Sequence, residues 1–122
     1  MAKILVMDDD ITTLIMIKSI LEKAGHEVIT QDNALHLRDE LNRHHPEMVI
    51  TDLFMPDKDG VEVINECQAY RQDLPVVAIS GGGEMHQSQL LDIVEELGAS
   101  RKLFKPFTQA QLLETVEQIL PH

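Results

Sequence analysis

The chain has 122 residues, 43% of them apolar, enough for one small domain that buries roughly two thirds of its unfolded surface. Ten Lys and Arg against 21 Asp and Glu leave a formal net charge of −11, with one Tyr, three Phe and no Trp; so acidic a chain, so poor in stacking rings, lacks what binds nucleic acid. The longest unbroken apolar runs are four residues, which argues against a membrane span; Met1-Ala2-Lys3 carries no signal-peptide pattern, and the single Cys67 suits a reducing cytoplasm.

Ile4-Leu5-Val6-Met7 is apolar without alternation, as a strand buried on both faces requires. Helical spacing over about 10–24 follows, and Gly25 stops it. Val28-Ile29 reads as the second strand, with Asn33 as N-cap of a helix over about 34–44. Met48-Val49-Ile50 is the third strand; Asp57, Asp59 and Gly60 shape the loop before a helix over about 60–71. Val76-Val77-Ala78-Ile79 is the fourth strand, followed by Gly81-Gly82-Gly83 and helical spacing over about 86–97 that ends at Gly98. Leu103-Phe104 is the fifth strand, and Thr108 caps a helix over about 108–120. Five βα units in succession predict a doubly wound α/β fold, a parallel sheet with helices on both faces.

Such sheets bind ligands beyond the carboxyl ends of their strands. Those ends carry Asp8-Asp9-Asp10, Thr51-Asp52, Ser80 and Lys105-Pro106. Two carboxylates about 4 Å apart repel by roughly 4 kcal/mol at an effective dielectric near 20. Asp8, Asp9 and Asp52 together therefore need a cation or a retained proton. Lys105 supplies one positive charge, and the oxygen donors suit a hard divalent ion such as Mg2+. An aspartate can attack phosphorus to form an acyl phosphate. A metal, a cation and a hydroxyl are the parts that phosphoryl transfer uses. Asp8 and Asp9 would hold the metal and Asp52, on the strand expected to be central, would be the nucleophile. Lys105 would supply the cation and Ser80 the hydroxyl. Each residue alone has a plainer reading, Asp9 or Asp10 as a helix N-cap above all; their coincidence at strand ends points to chemistry.

The motifs Ile4–Asp10, Val49–Pro56, Ala78-Ile79-Ser80 and Lys105-Pro106-Phe107, in this order and spacing, resemble the receiver domain of bacterial two-component response regulators, the CheY-like family. The resemblance runs from Lys3 to about Leu120 and implies a flavodoxin-like (βα)5 fold with strand order 2-1-3-4-5, the order that family is known for. It implies that Asp52 accepts a phosphoryl group from a sensor histidine kinase or a histidine phosphotransfer protein. Mg2+ (or Mn2+) would be held by Asp8, Asp9, Asp52 and the backbone carbonyl of Phe54. Ser80 and Lys105 would bind phosphoryl oxygens, and the Lys105-Pro106 peptide would be cis. The expected protein is a single cytoplasmic receiver domain over 1–122 with no effector domain. It would be no enzyme beyond catalysing its own phosphorylation and dephosphorylation. It would act on an unknown downstream protein, as a monomer or a phosphorylation-dependent dimer.

Three departures from the family pattern carry expectations. Lys102 stands where the family's switch aromatic lies, so a swinging ring cannot be the readout. Phe54 stands two residues after Asp52, where small or polar residues are frequent, and is expected to screen the acyl phosphate. The Gly81-Gly82-Gly83 run suits a loop that rearranges. On the first helix, Met16, Ile17, Ile20, Leu21 and Ala24 cluster toward the core. Ile11 and Ile15, with Leu14 at the margin, are left as a docking patch for the phosphodonor helix. An aspartyl-phosphate phosphatase would want a second acid where Phe54 stands. A flavin carrier would not place three aspartates at its phosphate loop. A phosphate-independent degenerate receiver is opposed by the presence of Asp52, Ser80 and Lys105.

Overall fold

The computed structural model describes residues 2–81, 92, 95–96 and 98–120. Strands are β1 (Lys3–Met7), β2 (Glu27–Gln31), β3 (Met48–Asp52), β4 (Phe54–Met55), β5 (Lys58–Asp59), β6 (Val76–Ser80) and β7 (Arg101–Phe104). Helices are α1 (Ile11–Lys23), α2 (Leu37–His44), α3 (Gly60–Tyr70) and α4 (Gln109–Ile119). Five strands form one parallel sheet in the order β2-β1-β3-β6-β7, with β3 in the middle. Counted along that sheet alone, this is the expected 2-1-3-4-5.

Strand alternation sorts the core into two halves. Leu5, Met7, Val49, Val76 and Ala78 pack with Leu37, Leu41, Val63, Ile64 and Cys67 of α2 and α3. Ile4, Val6, Met48, Ile50, Val77 and Ile79 pack with Leu14, Ile17, Leu21, Leu112 and Val116 of α1 and α4. Each fully buried Leu, Ile or Val contributes roughly 1.5–3 kcal/mol of transfer free energy. Cys67 belongs to this core, and burial pushes its thiol up to about 12, so it packs as an inert hydrophobe.

Caps fix where the helices begin and end. Asp10 accepts from the Thr12 N–H at 3.0 Å and from the Thr13 hydroxyl at 2.9 Å, capping α1. The Thr13 bond, first among the causes, holds the Asp10 carboxyl below its usual range. Gly25, at φ +97°, follows α1 as the expected left-handed stop. Thr108 and Gln111 form a reciprocal capping box on α4.

Several expectations are corrected. Helix α2 begins at Leu37 rather than 34, because the preceding amides are taken by side chains. Asn33 Oδ1 accepts from the Leu35 N–H at 3.0 Å, and Asp57 accepts from the Ala34 N–H at 2.8 Å. The buried side of α1 is Thr13, Leu14, Ile17 and Leu21, rotated from the side expected. Leu14 is only 5% exposed and belongs to the core, not to a docking patch; Met16 and Ala24 are exposed. The antiparallel hairpin of β4 and β5 was not expected. The expected helix over 86–97 and the glycines Gly82 and Gly83 lie outside the described residues, apart from Asp92, Glu95 and Glu96. Among the described residues, no helix is long and apolar enough to cross a membrane.

Candidate functional site

Asp8 follows β1 directly, in phase with Ile4 and Val6, and Asp52 ends β3, in phase with Met48 and Ile50. The parallel register sets Met7 beside Thr51, so the two carboxylates emerge side by side at the carboxyl edge of the sheet. On the other flank of β3, Ser80 ends β6, and the Lys105 N–H donates to the Ser80 carbonyl at 2.7 Å. The Lys105-Pro106 peptide is cis, as expected.

The Lys105 ammonium bridges the two aspartates, 2.7 Å from Asp8 Oδ2 and 3.0 Å from Asp52 Oδ2. Backbone amides take the other oxygens. The Asp10 N–H donates to Asp8 Oδ1 at 2.9 Å, and the Phe54 N–H donates to Asp52 Oδ1 at 2.8 Å. Asp8, Asp52 and Ser80 are buried, whereas Asp9 is exposed.

Burial pushes the Asp8 carboxyl above its usual range; the Lys105 and Asp10 hydrogen bonds oppose the shift, and the charge of Asp52 reinforces it. Burial alone would lower Lys105, but its bonds to Asp8 and Asp52 and their charges outweigh that and hold the ammonium above its ordinary value. Asp8, Asp9 and Asp52 each offer a carboxylate oxygen within 4.8 Å of the others. One ammonium against three clustered carboxylates leaves negative charge uncompensated, and every donor is a hard oxygen. The residues present therefore fit Mg2+ or Mn2+.

Lys102 lies on β7, its ammonium 3.1 Å from an Asp92 carboxylate oxygen and 3.7 Å from one of Glu95. The Asp92 hydrogen bond raises its basicity; burial opposes this less strongly, and Glu95 adds to it. Phe54 is partly exposed beside Asp52, and Ile11 and Ile15 are 53% and 64% exposed on α1. The structure thus brings Asp8, Asp9, Asp52, Ser80 and Lys105 to one edge and keeps Ile11 and Ile15 in solvent. Sequence reasoning missed the reach of Asp57 to Ala34, because no local pattern marks a bond that spans 23 residues.

Residues 4–117 match the family profile described as the response regulator receiver domain. The chain is 30% identical over 119 residues to chemotaxis protein CheY of Bacillus subtilis, covering 97% of each. It is 26% identical over 119 residues to sporulation initiation phosphotransferase F of the same organism, covering 98% of this chain and 94% of that one. The crystal structure of the receiver domain of NtrX from Brucella abortus superimposes with a TM-score of 0.87 at 29% identity, covering 96% of this chain and 97% of that one. A longer NtrX chain matches with a TM-score of 0.88 at 30% identity, and there this chain spans 26% of the length.

Proposed function

From the premise that the chain belongs to the response regulator receiver domain family, a signalling module of phosphorelays, we propose that Asp52 is its phosphoacceptor. The observation that carries this is the Lys105 ammonium bridging Asp8 and Asp52 at the carboxyl edge of the central strand. An Asp52 oxygen attacks the phosphorus of a phosphohistidine. The N–P bond breaks, and the imidazole nitrogen keeps the electron pair and takes a proton. Lys105 balances charge on the transferred group, and the Ser80 hydroxyl donates to one of its oxygens. Asp8, Asp9, Asp52 and the Phe54 carbonyl would hold a divalent metal, which would neutralise charge on the phosphoryl oxygens. The Phe54 ring shields the acyl phosphate from water.

The chain converts no external metabolite; it catalyses its own phosphorylation and dephosphorylation. The donor is a sensor histidine kinase or a histidine phosphotransfer protein, and it docks on α1 through Ile11 and Ile15. These side chains are exposed apolar groups beside the acidic edge. Ile15→Asp is expected to slow transfer from a phosphohistidine protein by about tenfold relative to uptake from acetyl phosphate, the scale of losing one apolar anchor. Time courses with both donors measure the ratio. An unchanged ratio in the folded variant would contradict the docking face.

A further inference from the structure

The loop that follows the phosphoacceptor is a hairpin held at both ends. Strands β4 and β5 pair Phe54 with Asp59 and Met55 with Lys58, which leaves Pro56 and Asp57 at the turn. At the base, the Phe54 N–H donates to Asp52 Oδ1 at 2.8 Å, and Asp59 accepts from the Glu62 N–H at 2.8 Å to cap α3. At the tip, Asp57 Oδ2 accepts from the Ala34 N–H at 2.8 Å, across 23 residues. Ala34 is fully buried, so its N–H needs that acceptor. The second oxygen, Asp57 Oδ1, is buried with no hydrogen-bond partner among the described residues. Met55 is buried in the core and the Lys58 ammonium pairs with Glu66 of α3, so the hairpin is held on its α3 side, and Asp57 adds the tie to the loop after β2.

We propose that Asp57 is a positioning residue. By pinning the hairpin tip to the loop after β2, it fixes the Phe54 backbone at the metal-binding edge. The inference rests on the reading of that edge given above. A neutral amide accepts the same hydrogen bond, so the device depends on the acceptor oxygen and not on the charge.

The test uses the full chain with Asp57→Ala and Asp57→Asn, followed by amide hydrogen exchange at Ala34 and Phe54 and by calorimetric titration with Mg2+. Asp57→Ala is expected to speed exchange at both amides and to weaken Mg2+ binding by about tenfold, the usual scale for a partner that orients a ligand. Asp57→Asn is expected to stay close to wild type in both readouts. Wild-type exchange at Phe54 in Asp57→Ala would overturn the proposal. So would an equal loss of Mg2+ affinity in Asp57→Asn, which would assign the effect to charge. A wild-type chain that takes up no Mg2+ would instead sink the metal reading, and the exchange at Phe54 would still decide the tie.

Discussion

Lys105→Met, unfolded by urea in the presence of chelator, is expected to lose about 1–3 kcal/mol of stability near pH 8 and clearly less near pH 5. The ammonium is the cation that lies between Asp8 and Asp52, at 2.7 and 3.0 Å, and Asp8 has no exposure to water. The loss stays below that of a fully buried pair because the Lys105 side chain is 22% exposed. The sign follows from the shift at Asp8. Burial raises that carboxyl and Lys105 opposes the rise, so removing Lys105 raises it further. A folded-state carboxyl above its unfolded value contributes stability at low pH that is lost as pH climbs through the folded value. The deficit of the variant must therefore grow from acid to alkaline pH. An equal deficit at both pH values would mean that Lys105 acts by packing and not by charge.

Gly60→Ala is expected to destabilise the fold by about 1–2 kcal/mol and to weaken Mg2+ binding. A Cβ at Gly60 would lie 2.6 Å from Leu53 Cδ2, 3.1 Å from its Cβ and 3.3 Å from its Cα. Leu53 is 1% exposed and packed in the core, so it cannot swing clear. Replacing a helical glycine ordinarily gains up to about 1 kcal/mol, which offsets part of the clash. Leu53 sits between Asp52 and Phe54, so the displacement is passed to both candidate ligands. Urea unfolding and Mg2+ titration check the two effects. A variant as stable as wild type would show that Leu53 yields freely.

The strands of the sheet were legible because Ile4–Met7 and Val76–Ile79 are unbroken apolar runs suited to burial on both faces, and the shorter runs at Val28, Met48 and Leu103 recur between helical stretches. Their order along the chain is enough to place Asp8, Asp52, Ser80 and Lys105 at one edge of a parallel sheet. The buried side of α1 was not legible, because Ile11, Leu14, Ile15, Met16 and Ile17 surround much of that helix and periodicity cannot choose among them. Packing on Ile4, Val6 and Ile50 chooses Leu14 and Ile17. The start of α2 was misplaced because Asp57, far away in sequence, takes the Ala34 amide. The two-residue strands β4 and β5 are too short to show any period. The division of the Lys105 ammonium between two carboxylates is a through-space fact that no spacing encodes.

We propose that Asp52 takes a phosphoryl group with a divalent metal bound beside it. Intact mass after incubation with acetyl phosphate tests it, on wild type with Mg2+, on wild type with chelator, and on Asp52→Asn with Mg2+. One phosphoryl adduct is expected on wild type with Mg2+ and none in the other two samples. An adduct on Asp52→Asn, or one formed equally well in chelator, would contradict it.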